Sequence, residues 1–339
     1  MLAKKLKMAL LLFCAFATAS TASKAAENAK GFVLLGSNSS MAGAVPPPGA
    51  YFSTYEYFYT GDASATAAAG IVLDKIGAQA SLRVDADVDA DIFISIPTLL
   101  WVAPGQVLGG NVGVGALIPF GSQDISADLD ALSTITLRDG RTFNRGAQFG
   151  LDDDTFAFGD PVLTAFLGWH RGNWHWKVAG LLNVPIGSYD ADSLANMGFN
   201  RWGFDASAAV TWLDPAIGLE VSTAAGFTFN GRNPDTDYRT GTEFHVEAAI
   251  MKHFSKTFAI GLTGYHYEQV TGDSGNGARL GDFKGQVSAI GPNINYAFLA
   301  GQIPVSTSLR WLHEFEAKNR LEGEAFLFTA AMPLSVPRR

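Results

Sequence analysis

Apolar and polar residues alternate along most of this chain with a period of two, the repeat of a strand that buries one face. Twelve segments carry the pattern: 51–60, 90–102, 109–120, 158–170, 173–185, 201–213, 217–229, 242–253, 258–269, 283–296, 303–315 and 322–334. Their length, roughly ten to thirteen residues, is close to that of a tilted membrane strand. In 109–120, Val112, Val114, Ala116, Ile118 and Phe120 share one face, and Asn111, Gly113 and Gly115 the other. In 242–253, Phe244, Val246, Ala248 and Ile250 oppose Glu243, His245, Glu247 and Ala249.

The connections sort by parity. Odd-numbered ones reach 37 residues (121–157), whereas none of the even-numbered ones exceeds six. Outer-membrane barrels have short periplasmic turns and longer external loops, and a soluble β-sandwich has no reason for such sorting. The expected fold is all-β: a transmembrane antiparallel up-and-down β-barrel of twelve strands, with both termini on the short-turn side. Closure pairs every strand edge, so no backbone group is left unsatisfied in hydrocarbon. Trp101, Trp169, Trp174, Trp202, Trp212 and Trp311 fall at or near ends of these segments, as interfacial girdles require.

The first residues read differently. Lys4, Lys5 and Lys7 precede an apolar run, Met8 to Ala19, which small residues follow. This is the order of a cleaved secretory signal peptide, too short to remain as a membrane span. The division is then 1–25 signal peptide, 26–49 extended N-terminal segment, 50–334 barrel and 335–339 C-terminal tail. Pro46, Pro47 and Pro48 make the second piece a stiff lead into the first strand; a partial plug entering the lumen is the functional alternative. The only cysteine, Cys14, leaves with the leader. So do four lysines, making the mature chain more acidic than the formal −8. An acidic chain without a basic face excludes nucleic acid as a partner.

Charge matters mainly where it faces inward. A charged side chain toward lipid costs about 2–4 kcal/mol at the midplane, so parity assigns Lys177, Glu220, Glu243, His245, Glu247, Arg310 and Glu314 to the lumen. Glu56 joins them if Tyr55, Tyr57 and Tyr59 face outward. These eight are candidates for a selectivity constriction, with ion pairs bracing the wall as the plainer reading. Asp124, Asp128, Asp130, Asp152, Asp153 and Asp154 are read as a solvated acidic external loop, since the glycine-turned spacing of a calcium loop is missing. Among His170, His175, His245, His253, His266 and His313, none begins a His-x-Ser-Asn-Gly run, and no Gly-x-Ser-x-Gly turn occurs. No catalytic, metal or cofactor site is expected.

Several motifs are familiar together: Pro46-Pro47-Pro48-Gly49-x-Tyr51, Gly159-Asp160-Pro161, Leu167-Gly168-Trp169 and Pro185-Ile186-Gly187-Ser188-Tyr189-Asp190. Further along come Thr236-Asp237-Tyr238-Arg239-x-Gly241-x-Glu243-Phe244-His245, Gly264-Tyr265-x-Tyr267-x-Gln269, Gly291-Pro292 and Glu314-Phe315 with Asn319-Arg320. From about 31 to 334 the chain resembles the family labelled "putative MetA-pathway of phenol degradation", whose relatives include SphA-type outer-membrane proteins. The resemblance implies a Gram-negative outer-membrane barrel associated with aromatic or other hydrophobic compounds, and it implies no catalytic residues. One departure from barrels in general is the end of the chain, Pro333 to Arg339, which lacks a terminal aromatic. The expected function is a porin-like channel for small hydrophobic or aromatic compounds, with outer-membrane lipids, such solutes and the barrel-assembly machinery as partners. A structural or adhesive barrel with a filled lumen is the alternative. A lipid-modifying enzyme is the third class, and its residues are missing.

Overall fold

A computed structural model describes residues 31–63, 83–136, 142–278 and 284–335. The leader expected at 1–25, most of the connection 61–89 and the tail beyond 335 lie outside the described residues. Fourteen strands are present among those described: β1 (Gly49–Ala63), β2 (Arg83–Val107), β3 (Gly110–Leu117), β4 (Phe120–Thr136), β5 (Thr142–Phe158), β6 (Val162–Arg171), β7 (Trp174–Asn183), β8 (Gly203–Asp214), β9 (Leu219–Asn230), β10 (Glu243–His253), β11 (Phe258–Gln269), β12 (Gln286–Ala300), β13 (Ile303–Lys318) and β14 (Leu321–Ser335). No helix among the described residues is long and apolar enough to cross a membrane.

Twelve of the strands close a barrel. Each pairs antiparallel with its neighbours, and β1 seals the ring by pairing with β14 on one side (Glu56↔Phe328) and β2 on the other (Glu56↔Ser95). The remaining two, β4 and β5, come from the stretch 121–157 that sequence reading assigned to a loop. β2 is long enough, at 25 residues, to pair twice: Thr98↔Leu117 with β3 in its lower half and Ser95↔Phe120 with β4 in its upper half. Pro119 marks the break between β3 and β4; it has no N–H to donate, and its carbonyl accepts from Gly159.

The stretch is a hairpin and not a loop because apolar residues alternate with its aspartates. Asp91↔Asp124↔Asp154 and Asp89↔Ser126↔Asp152 stand in register across β2, β4 and β5, on one exposed face. The opposite face sets Val88, Ala90, Ile125 and Ala127 against Ala63, Leu194 and Ala195 in a small core. Like charges directly opposite are destabilising, so burial of that second face is what holds the hairpin.

Around the barrel the period of two separates an apolar outside from a polar inside. Phe204, Val221, Phe227, Ile250, Leu262, Leu309 and Phe326 are exposed on the outer surface, while Asp205, Glu220, Thr228, Ala249, Thr263, Arg310 and Leu327 next to them are buried inward. An apolar belt of this kind is unsuited to water and matches hydrocarbon. At the short-turn end Trp101 and Trp174 are exposed; Trp169 stacks on Trp176 and donates to the Leu108 carbonyl (3.0 Å).

Candidate solute path

Residues 31–48 do not stay below the barrel: they run inside it. A buried irregular segment must find partners for its backbone groups, and here the wall's side chains supply them. Glu220 accepts from Met41 N (2.6 Å) and Ser40 Oγ (3.0 Å), and also from Ser222 Oγ and His253 Nε2 (2.7 Å each). Glu247 accepts from Asn38 N (2.8 Å), Thr211 Oγ1 from Gly43 N (3.0 Å), and Arg310 Nη1 donates to the Gly36 and Ser37 carbonyls (2.7 and 3.3 Å). Asn293 and Asn295 donate to Ser39 and Ser40. Close approach makes one glycine necessary: a Cβ on Gly43 would stand 2.5 Å from the His175 carbonyl oxygen and 2.7 Å from Thr211 N.

The candidate residues therefore sort into groups. Glu220, Glu247 and Arg310 hold the inner segment. Glu243 accepts from Asn230 Nδ2 (3.0 Å) and the Tyr267 hydroxyl, and His245 meets Asp205 across 2.9 Å, so these two tie wall strands together. Glu314 accepts from the Tyr59 and Tyr265 hydroxyls and from Gly323 N. Lys177 stands apart, beside the Phe166 ring. Glu56 is on the other side of the wall: Tyr55, Tyr57 and Tyr59 point inward, so the carboxylate between them turns outward, where Thr54 and Ser95 hydroxyls donate to it. The condition under which it would face the lumen is not met. Sequence gave no means of deciding this strand, because Phe52 and Phe58 make its other face equally aromatic.

The inner segment lies against β8 to β13 and leaves a cavity of about 390 Å³ on the opposite side of the lumen. Leu34 and Leu35 of the segment form one wall. β1 and β2 contribute Tyr55, Tyr57, Ile92, Ile94, Ile96 and Leu100; β6 and β7 contribute Thr164, Phe166, Ala179 and Leu181. Phe166 occupies space made by Gly113, where a Cβ would be 2.2 Å from the ring. Toward the long-loop end stand Glu314, Arg320 and Leu321, with Asn196, Met197 and Phe199 from the connection 184–202 folded over them. That connection hangs from two carboxylates. Asp153 accepts from Ser193 Oγ, Leu194 N and Ala195 N (2.6, 2.6 and 2.9 Å), and Asp160 accepts from Gly187 N, Asn183 Nδ2 and Phe199 N (2.7, 3.0 and 2.8 Å). Of the three acids Glu220, Glu243 and Glu247, none lines the cavity.

Comparison with known proteins bears on this geometry. The family model described as "Putative MetA-pathway of phenol degradation" matches residues 61–330. The COG4313 outer membrane channel from Pseudomonas putida F1 superposes with a TM-score of 0.63 at 16% identity, covering 88% of this chain and 98% of that one. A Pseudomonas aeruginosa FadL homologue is far less similar, with a TM-score of 0.36 at 11% identity over 84% of this chain and 89% of that one. No curated protein matches in sequence.

Proposed function

The chain belongs to the family described as "Putative MetA-pathway of phenol degradation", and from that premise we propose that it is an outer-membrane channel for small hydrophobic or aromatic compounds. The observation that carries the reading is the apolar cavity between the inner segment and strands β1, β2, β6 and β7. A hydrophilic pore would line its path with charge and water-binding groups. Here tyrosine rings and branched aliphatic side chains form most of the wall, and the two carboxylates that line it, Asp160 and Glu314, each already accept from three donors. Its size lies within the roughly 300–1,000 Å³ of pockets that enclose small organic ligands. Short turns mark the periplasmic end and the connections around Asn196 and Arg320 the external one, so a solute entering from outside meets Met197 and Phe199 before the tyrosines.

Uptake of neutral monoaromatic compounds by cells with and without the gene tests the reading, together with conductance of the purified protein in planar bilayers. We expect faster uptake and small, resolvable conductance steps. Absence of both would leave a barrel whose lumen is filled by residues 31–48, that is, a structural surface protein.

A further inference from the structure

We propose that the cavity binds aromatic anions, a single ring carrying one carboxylate or sulfonate, with Lys177 receiving the anionic group; this rests on the channel reading above. Lys177 projects inward from β7 between the outward Trp176 and Val178. Its ammonium lies 6.0 Å from the centre of the Phe166 ring and has no hydrogen bond or ion pair among the described residues. An ammonium offers three donors, and enclosing one in an apolar site without acceptors is costly unless something pairs with it.

The other charged groups facing the cavity sharpen the point. Asp160 and Glu314 each accept from three donors already. Glu247, whose field reaches Lys177, is bonded to Asn38 of the inner segment and does not line the cavity. Arg320, toward the external end, lies 4.2 Å from the Tyr267 ring centre and keeps Nη1 buried without a hydrogen-bond partner. The carboxylates that line the cavity are thus largely used, Arg320 shares the field of Glu314 and Glu243, and the Lys177 ammonium is the charge left without a hydrogen-bond partner. That is the complement of an anion. The walls specify the rest of the solute: Ile94, Ile96, Leu100 and Phe166 offer a small inorganic anion nothing in exchange for its water. A neutral ring would fill the apolar space and leave the ammonium unpaired.

Calorimetric titration of the full-length barrel in detergent at pH 7 tests this with three probes: benzoate, benzyl alcohol and acetate. We expect benzoate to bind at least tenfold more tightly than either of the others. Lys177→Met should bring benzoate down to the level of benzyl alcohol without changing the latter, and Lys177→Arg should keep the preference. Heat-dependent electrophoretic mobility reports that each variant is folded, and Lys177→Gln replaces the methionine variant if that one is not. The comparison among probes on the native protein needs no variant at all. Equal affinity of the native protein for benzoate and benzyl alcohol overturns the assignment of an anion. A benzoate preference that survives Lys177→Met overturns the role of Lys177. Acetate binding as tightly as benzoate overturns the aromatic requirement. In each case a bilayer conductance that persists leaves the channel reading standing, so the two can fail separately.

Discussion

Glu247 sits where a wall strand meets the inner segment, and its partner there is a backbone N–H, Asn38 N at 2.8 Å. A hydrogen bond to a charged group contributes about 1.5–3 kcal/mol. Glu247→Ala should therefore weaken seating of residues 31–45 by roughly that amount, read as faster proteolysis near Asn38 in the folded barrel. Glu247→Gln, which keeps an acceptor, should fall between. Because the Glu247 carboxylate is bonded to the segment and does not line the cavity, we expect ion preference to follow Lys177 more closely than Glu247. A second residue-level prediction concerns Asp273, in the long connection after β11. It accepts from Tyr238 Oη, Gly241 N and Gln269 Nε2, and burial raises its carboxyl above the usual carboxylate range despite these donors. A raised acid stabilises the folded loop most when protonated. Its contribution is fully present below the ordinary carboxylate range and is lost as pH rises through the raised value. Amide exchange at Gly241, corrected for its intrinsic rate, should accelerate over that interval in the native protein. In Asp273→Asn it should not; identical profiles would refute the linkage.

At the scale of elements, the connection 184–202 contains no strand and is held by a few backbone hydrogen bonds and by carboxylate side chains. Three donors converge on Asp153. Asp153→Ala should leave the barrel assembled and loosen Ser193 to Ala195, enlarging the external opening beside Met197 and Phe199. The expected result is a higher bilayer conductance with unchanged heat-modifiable mobility; loss of assembly would mean that the connection supports the barrel itself. Sequence reading located the elements well for a physical reason. Period two is enforced wherever one face meets hydrocarbon and the other a polar lumen, as along Glu243, His245 and Glu247. It lost force where both faces are apolar, as in β1 and β2, and there the inward tyrosines and isoleucines of the cavity were not distinguishable. The hairpin β4–β5 was missed for the opposite reason: its aspartates masked an alternation that Ile125, Ala127 and Leu151 do carry. Asp205 opposite His245, and the docking of 186–199 on Asp160, depend on pairing between strands far apart in sequence, for which the chain holds no local signal.

At the scale of the whole molecule, the inner segment belongs to the N-terminus yet binds strands from the later part of the chain. Gly43 reaches Thr211, 168 positions on, and Arg310 reaches Gly36 across 274. Among the described residues it is linked covalently to the wall through the short run Pro46, Pro47 and Pro48 into β1, and consecutive prolines favour a stiff extended spacer of about 3.1 Å per residue. A segment released from its seat therefore cannot diffuse away. It remains at an effective concentration that short tethers place in the millimolar range, and rebinding becomes an intramolecular event. Weakening the seat should then shorten the bound periods without creating a long-lived empty lumen. Single-channel records of Glu247→Ala should show brief, frequent openings in place of a permanently raised conductance.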